Sequence, residues 1–336
     1  MAGISGQGTT FNLPNYVGEL FAVTPTDTPF LSSIGGLTGG ERTGSTLFQW
    51  QGFDLRDAAN DRQRVEGANL PTAEARVRFN VTNVVEIHQE ALELSYTKQA
   101  ATGQFNATTS GEHPGSVGIA GSNPVTDEVD WQLRQHLVQI ARDVEVSFLT
   151  GTYANPENNN TPRKTQGLLG AITTNVIDAD GDELDAQDAE YVLDLLQKVW
   201  DNGGIMESET ATIMVGSQQK RKLSKVFITD KNYREMSRNV GGVNVQTIET
   251  DFGVLNVMLN RHMPADQVAV VSLEQCAPVF LEIPGKGFLF TEPVAKVGAA
   301  DRFQIYGEIG LKYGNEKAHG KIVGLDVGSE SESASS

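Results

Sequence analysis

Arg76-Val77-Arg78-Phe79-Asn80-Val81-Thr82-Asn83-Val84-Val85-Glu86-Ile87-His88-Gln89 is the stretch on which the reading of this chain turns. Val77, Phe79, Val81, Val85 and Ile87 share one side of an extended chain, interrupted only by Asn83, while Arg76, Arg78, Asn80, Thr82, Glu86 and His88 take the other. A period of two is that of a β-strand. At about 3.3 Å per residue such a strand spans about 45 Å, whereas a compact chain of this length has a radius of gyration of about 20 Å. Before it, residues 45–53 alternate Phe48 and Trp50 with Leu47, Gln49 and Gln51, and a polar, Arg-rich tip covers 54–75. The pattern predicts a hairpin within 44–97 that projects from the body. An isolated hairpin is marginal in water, so packing against another subunit is expected. The plainer alternative is a pair of strands inside a larger sheet, joined by a long loop.

The 336 residues suit one large or two ordinary domains, and 39% hydrophobic with 21% charged residues is globular composition. The N-terminus has neither a basic start nor an apolar core, so no signal peptide is expected. No apolar run approaches the length of a membrane span, and the only cysteine, Cys276, excludes an intramolecular disulfide. These features fit production in a reducing cytoplasm. A formal charge of −17 argues against coating DNA directly, because nonspecific phosphate binding needs clustered Lys and Arg. No lysine precedes Lys98, yet Arg42, Arg56, Arg62, Arg64, Arg76 and Arg78 all do. Arginine forks pair with carboxylates on a facing subunit. Phe48, Trp50, Arg56, Arg62, Arg64, Arg76 and Arg78 are therefore the expected inter-subunit contacts of the hairpin.

Residues 1–43, rich in Gly, Thr and Pro, read as an arm ordered by docking, and 103–123 as a flexible connector. A helix is predicted over 127–150, with Thr126 as N-cap, acids in its first turn and Gly151 beyond its end. Val129, Leu133, Leu137, Ile140, Val144 and Phe148 form its apolar stripe. Arg134, Gln135, Arg142, Asp143 and Glu145 are expected on the other side, facing solvent or a neighbour, with Arg134 and Arg142 as further contact candidates. An α/β region follows: a short apolar segment at 168–176, a helix over 186–201 capped by Asp185 and stopped by Gly203-Gly204, a strand at 210–215, a helix at 217–226, and strands at 252–259 and 268–271. The end reads as strand at 303–313, a turn at Gly314-Asn315, strand again at 318–325, then a disordered Ser/Glu tail.

Chemical motifs fail on geometry. Gly39 and Gly44 mimic a phosphate loop, but Ser45 replaces its lysine. Gly6-Gln7-Gly8 has no preceding strand, and Phe11 replaces the third glycine of a dinucleotide fingerprint. The five histidines show no ligand spacing, and no Ser-His-Asp or Cys-His arrangement can be argued. Asp178, Asp180, Asp182, Glu183 and Asp185 offer oxygens to calcium, yet lack the glycine and closing glutamate of the twelve-residue calcium loop. The competing reading is a solvated turn before a helix whose positive end favours carboxylates. No catalytic residue and no cofactor are assigned.

The order of elements (arm, long hairpin, long helix, mixed domain, returning strands) resembles the tailed-phage, HK97-like capsid fold, an α+β architecture. Arg163-Lys164-Thr165-Gln166-Gly167-Leu168-Leu169, Pro293-Val294-Ala295-Lys296-Val297-Gly298, Tyr306-Gly307-Glu308-Ile309-Gly310-Leu311 and Asn315-Glu316-Lys317-Ala318-His319-Gly320 are similar to the siphophage capsid family named after the SU10 major capsid protein. Thr24-Pro25-Thr26-Asp27-Thr28-Pro29-Phe30-Leu31 resembles its N-terminal arm.

The resemblance implies a major capsid protein of a tailed bacteriophage: pentamers and hexamers of an icosahedral virion shell, assembled in the bacterial cytoplasm around double-stranded DNA. Residues 1–43 would be the N-arm, 44–97 the extended loop, 98–167 the peripheral domain with spine helix 127–150, 168–280 the axial domain, 281–327 the peripheral return strands and 328–336 the tail. Some relatives crosslink an extended-loop lysine to a neighbour's asparagine; this loop lacks lysine, so no such bond is expected. No charge-rich helical leader precedes the arm, so a separate scaffolding protein is expected, beside a portal protein and possible decoration protein, with no membrane partner. The alternatives are an encapsulin-type nanocompartment shell and a calcium-dependent soluble enzyme using the aspartate cluster.

Overall fold

The computed structural model describes residues 23–56, 58–101, 128–184, 189–205, 211–224, 236–240 and 243–327. Residues 1–22, the connector 103–123, Asp185 and the tail from 328 lie outside these. Two compact units divide the chain: 27–89, 140–290 and 306–336 in the larger, and 1–26, 90–139 and 291–305 in the smaller.

In chain order the elements are α1 (Pro29–Ser33), β1 (Glu41–Thr43), β2 (Leu47–Phe53), β3 (Arg78–Val84), β4 (Glu86–Ser95), α2 (Tyr96–Ala101) and α3 (Glu128–Thr150). There follow α4 (Leu168–Ala171), β5 (Val176–Asp178), α5 (Ala189–Asp201), β6 (Ala211–Val215), α6 (Ser217–Ser224), β7 (Met236–Val240), β8 (Val243–Thr250) and β9 (Gly253–Leu259). The last are β10 (Val268–Ser272), β11 (Ala277–Leu281), β12 (Leu289–Pro293), β13 (Ala300–Lys312) and β14 (Gly320–Val323).

Every residue of β6 and β10 is buried. Both are short aliphatic runs without alternation, the pattern of strands covered on both faces. They sit centrally in a seven-stranded mixed sheet of order β5-β14-β10-β6-β9-β8-β7, where β6 runs parallel to β9 and antiparallel to β10. On α5, Val192, Leu195, Leu196 and Val199 recur at helical spacing and pack with Ile213, Val215, Val268, Val270 and Ile322. Each such side chain contributes about 1.5–3 kcal/mol by leaving water. The helix stops where Gly203 takes φ +88° and the Gly204 N–H reaches the Val199 carbonyl at 2.9 Å.

One boundary differs from the sequence reading. The last strand, β14, was expected among the peripheral return strands. It lies instead in the seven-stranded sheet, antiparallel to β10 (Val268↔Ile322) and parallel to β5 (Ile322↔Ile177). Ile322 is fully buried in the core cluster that α5 also lines, and Leu325 joins it there.

The second sheet has the order β1-β11-β13-β12, with β4 also on β13. Its β1 comes from the segment read as a docked arm and pairs parallel with β11. The hairpin is a separate two-stranded sheet, Leu47↔Val84 to Phe53↔Arg78. The alternating run is therefore not one long strand. It breaks at Val85, whose N–H reaches the Thr46 carbonyl at 3.0 Å where the hairpin ladder ends, and β4 then joins a different sheet. The pleat restarts: Asn83, Val84, Val85 and Glu86 are buried in succession, while Ile87, expected inward with Val85, is 50% exposed.

In the smaller unit Tyr96 N–H donates to the Ala299 carbonyl, Arg302 pairs with Glu93 at 2.7 Å, and His136 lies 3.4 Å from Glu90.

Candidate assembly surface

Every described residue from 53 to 80 is exposed, including Phe53, Leu55, Val65, Leu70, Val77 and Phe79. Leu70 is 96% exposed, so the hairpin tip has no apolar cover within its own chain. Its arginines are organised around a residue the sequence reading passed over. Glu74 accepts hydrogen bonds from Arg62 Nη2 at 2.8 Å and Arg76 Nη2 at 3.2 Å, and Arg56 Nε lies 3.9 Å away. Hydrogen bonds from Arg62 and then Arg76 hold the Glu74 carboxyl below its ordinary range. Its signal was an acid two residues before Arg76, one of five acids in a stretch, 54–78, that also holds five arginines. Arg78 donates to Gln51 Oε1 at 3.3 Å, and Arg64 makes no ion pair among the described residues.

At the hairpin root the two aromatic candidates are engaged inside the chain. Phe48 is 8% exposed and packs against Val85 and Val279. Trp50 Nε1 donates to the Gly314 carbonyl at 2.7 Å, and its ring meets Tyr313 edge-on at 4.9 Å. Asn83, which interrupted the apolar face, is the joint. Its Oδ1 accepts from Val84 N–H and Gln166 N–H, and its Nδ2 donates to the carbonyls of Leu311 and Gln166. All four hydrogen-bonding positions of this fully buried amide are filled.

Two of the family-like stretches, 163–169 and 306–311, meet beside it. Thr165 N–H donates to Glu86 and Thr165 Oγ1 accepts from Leu311 N–H, while Arg163 pairs with Glu308 at 2.7 Å and Tyr306 OH donates to Glu308 at 2.9 Å. Desolvation, then the Glu308 hydrogen bond, pushes the Tyr306 phenol up to about 12. Gly310 lies under the Phe48 ring, where a Cβ would come within 2.7 Å of the ring and 2.8 Å of the Val84 carbonyl. Further along, Glu316 accepts from Thr173 N–H, Thr174 N–H and Thr174 Oγ1. His319 Nδ1 accepts from Ser272 N–H while Nε2 bonds the Tyr313 carbonyl. These motif residues connect segments far apart in the chain.

Two buried carboxylates have opposite electrostatics. Burial works to raise Glu86, but hydrogen bonds from His88, Ser147 and Thr165 outweigh it and leave the carboxyl below its ordinary range. For Glu145 burial wins: desolvation raises it despite bonds from Leu31 N–H, Phe30 N–H and Asn260 Nδ2 at 2.6, 3.0 and 2.6 Å. The sequence reading put Glu145 on the outer side of the long helix; it is fully buried and ties α1 to α3. Position 145 is three before Phe148 and so borders the apolar stripe, where two backbone N–H groups at the start of α1 need an acceptor.

Arg134 is exposed and paired with Asp130 one turn earlier, and Arg142 is half-buried. The acidic candidates build a turn: Asp178 Oδ1 accepts from Asp180 N–H, Asp180 has φ +49°, and Asp182 accepts from Tyr191 OH. Among the described residues no three His, Cys, Asp or Glu side chains are grouped to hold a metal ion. No described helix is long and apolar enough to cross a membrane. Cys276 is buried, and desolvation drives its thiol far up.

A hairpin with an uncovered tip and a polar joint at its root, one long helix and a mixed sheet are the parts of the tailed-phage capsid fold. The cyanophage A-1(L) capsid matches at TM-score 0.66, with 10% identity over 95% of this chain and 98% of its own. The Mycobacterium phage Bobi structure matches at TM-score 0.58, with 10% identity over 97% and 99%. The SrpI encapsulin of Synechococcus elongatus matches at TM-score 0.55, with 11% identity over 94% and 93%. The chain has no significant match among curated proteins. The SU10 major capsid protein family model matches residues 3–326, and the chain belongs to that family, the major capsid proteins of tailed phages.

Proposed function

We propose that copies of this chain form pentamers and hexamers that close an icosahedral shell around double-stranded DNA. The observation that carries the reading is the uncovered hairpin, with six large apolar side chains between 53 and 79 facing solvent in a single copy. A neighbouring subunit is the cover they require. In this reading 1–43 is the N-arm, 44–97 the extended loop, 98–167 the peripheral domain, 168–280 the axial domain joined by β14, and 281–319 the return. Phe48 and Trp50 brace the loop root, while Arg56, Arg62, Arg64, Arg76, Arg78, Arg134 and Arg142 face other copies.

The charge of −17 suits a wall that confines DNA without gripping it. A separate scaffolding protein and a portal are the further partners, and assembly takes place in the host cytoplasm. With no lysine in the loop, shell maturation proceeds without an extended-loop isopeptide.

Light scattering and negative-stain microscopy of the expressed chain test this. Rings, sheets or shells of megadalton mass are expected, and deletion of 54–77 should prevent closed shells. A monodisperse species of single-chain mass, unchanged by scaffold, would refute the reading. Shells that co-purify with a cargo enzyme instead of DNA would favour an encapsulin-type container.

A further inference from the structure

The start of α1 is capped from far along the chain. Thr28 makes no side-chain hydrogen bond there and Pro29 has no N–H, so the amides of Phe30 and Leu31 are the donors that need an acceptor. Glu145 of α3 takes both, Phe30 N–H at 3.0 Å and Leu31 N–H at 2.6 Å, and Asn260 Nδ2 donates to the same carboxylate at 2.6 Å. The carboxylate is fully buried, and all three of these partners are uncharged N–H groups. Residues 23–27 are exposed, so Pro29, Phe30 and Leu31 are the first buried residues of the described chain.

We propose that α1 and Glu145 form a proton-operated latch, which holds the segment entering the body at α1 more tightly when Glu145 is protonated than when it is charged. A buried charge without a counter-ion is costly. The charged form therefore gains solvation when α1 lifts and admits water, while the neutral form gains little, and the Asn260 amide can turn its oxygen to the new hydroxyl. Desolvation, which raises the Glu145 pKa, acts in the same direction. No residue of α1 is titratable. The charged or titratable groups on the surrounding elements are Asp27, whose charge also raises Glu145, and Arg261, which pairs with Asp27 at 2.9 Å. With them are His262, whose backbone N–H donates to Asn260 Oδ1, and Arg142 and Asp143 on α3. In the shell reading 1–43 is the arm, so pH would set how firmly the arm stays on its own body.

Hydrogen exchange of the full-length chain from about pH 4 to about pH 8, read in a peptide covering 28–34 and corrected for the intrinsic rate, tests it. The open latch titrates at the ordinary 4.5 and the closed latch above it. Protection is thus highest below 4.5 and falls as pH rises through the closed-state value, by about tenfold for each unit between the two. The peptide should also exchange faster than one from β10, because the latch opens without global unfolding. Equal rates would overturn the proposal. Glu145→Gln should flatten the profile, whereas Asp27→Asn should keep its slope. A flat profile in the unaltered chain, or an unchanged slope in Glu145→Gln, would overturn it. Protection that rises with pH would assign control to the Asp27–Arg261 pair and overturn it as well. Should Glu145→Gln fail to fold, the unaltered chain and Asp27→Asn decide. None of these outcomes needs assembly, so a chain that forms no shells would refute the shell reading and leave the latch standing.

Discussion

Asn83 Nδ2 donates to the Leu311 carbonyl at 2.7 Å, joining residues 228 positions apart at the point where the hairpin leaves the body. Replacing Asn83 by Leu keeps the volume but strands two carbonyls and two N–H groups in a buried site. Each stranded group costs about 1–3 kcal/mol. A large fall in thermal stability is expected, with faster protease cleavage in 54–77 than in the unaltered chain. Unchanged cleavage would show that the joint does not hold the hairpin.

Glu145→Gln places an NH₂ donor where Leu31 N–H, Phe30 N–H and Asn260 Nδ2 all need acceptors. The folded-state pKa lies above the ordinary 4.5, so the native state keeps a proton that the unfolded chain releases between the two values. Stability from this site is thus highest below 4.5 and falls as pH rises through the folded value. The deficit of Glu145→Gln should be largest at acid pH and shrink toward neutrality in thermal melts.

Glu86→Gln should show the reverse. Here the folded pKa lies below 4.5, so the stabilisation is complete above 4.5 and is lost as pH falls through the lower, folded value. Its deficit should be full at neutral pH and vanish in strong acid. Parallel pH profiles for the two variants would contradict the assigned directions.

Gly310→Ala drives a methyl group into the Phe48 ring and the Val84 carbonyl. The carbonyl cannot yield without disturbing the β3 end, so a loss of about 1–3 kcal/mol or more is expected in denaturant unfolding. Pairing it with Phe48→Leu should recover only the part due to the ring.

Much of the fold was legible because its signals are local. The stripe Ile140, Val144 and Phe148, the Gly203-Gly204 stop and the buried runs of β6 and β10 depend on neighbours a few residues away. The two hairpin legs were found for the same reason, and their register, Leu47↔Val84 to Phe53↔Arg78, agrees with the alternation. Alternation, however, cannot reveal where a strand changes partner, so the break at Val85 and the outward turn of Ile87 were missed.

The sequence by itself determined the periodicities, caps and stops, and with them the order of elements, because these follow from each residue's own stereochemistry and near neighbours. Only the tertiary structure decided what depends on distant partners: Glu145 buried beneath α1, Asn83 as a joint, Glu74 drawing in Arg62 and Arg76, and β14 lodged between β5 and β10. An acid or amide in an alternating run carries no mark of whether its partner is water or a backbone amide from far along the chain. That choice is made when non-local segments pack and every buried donor must find an acceptor.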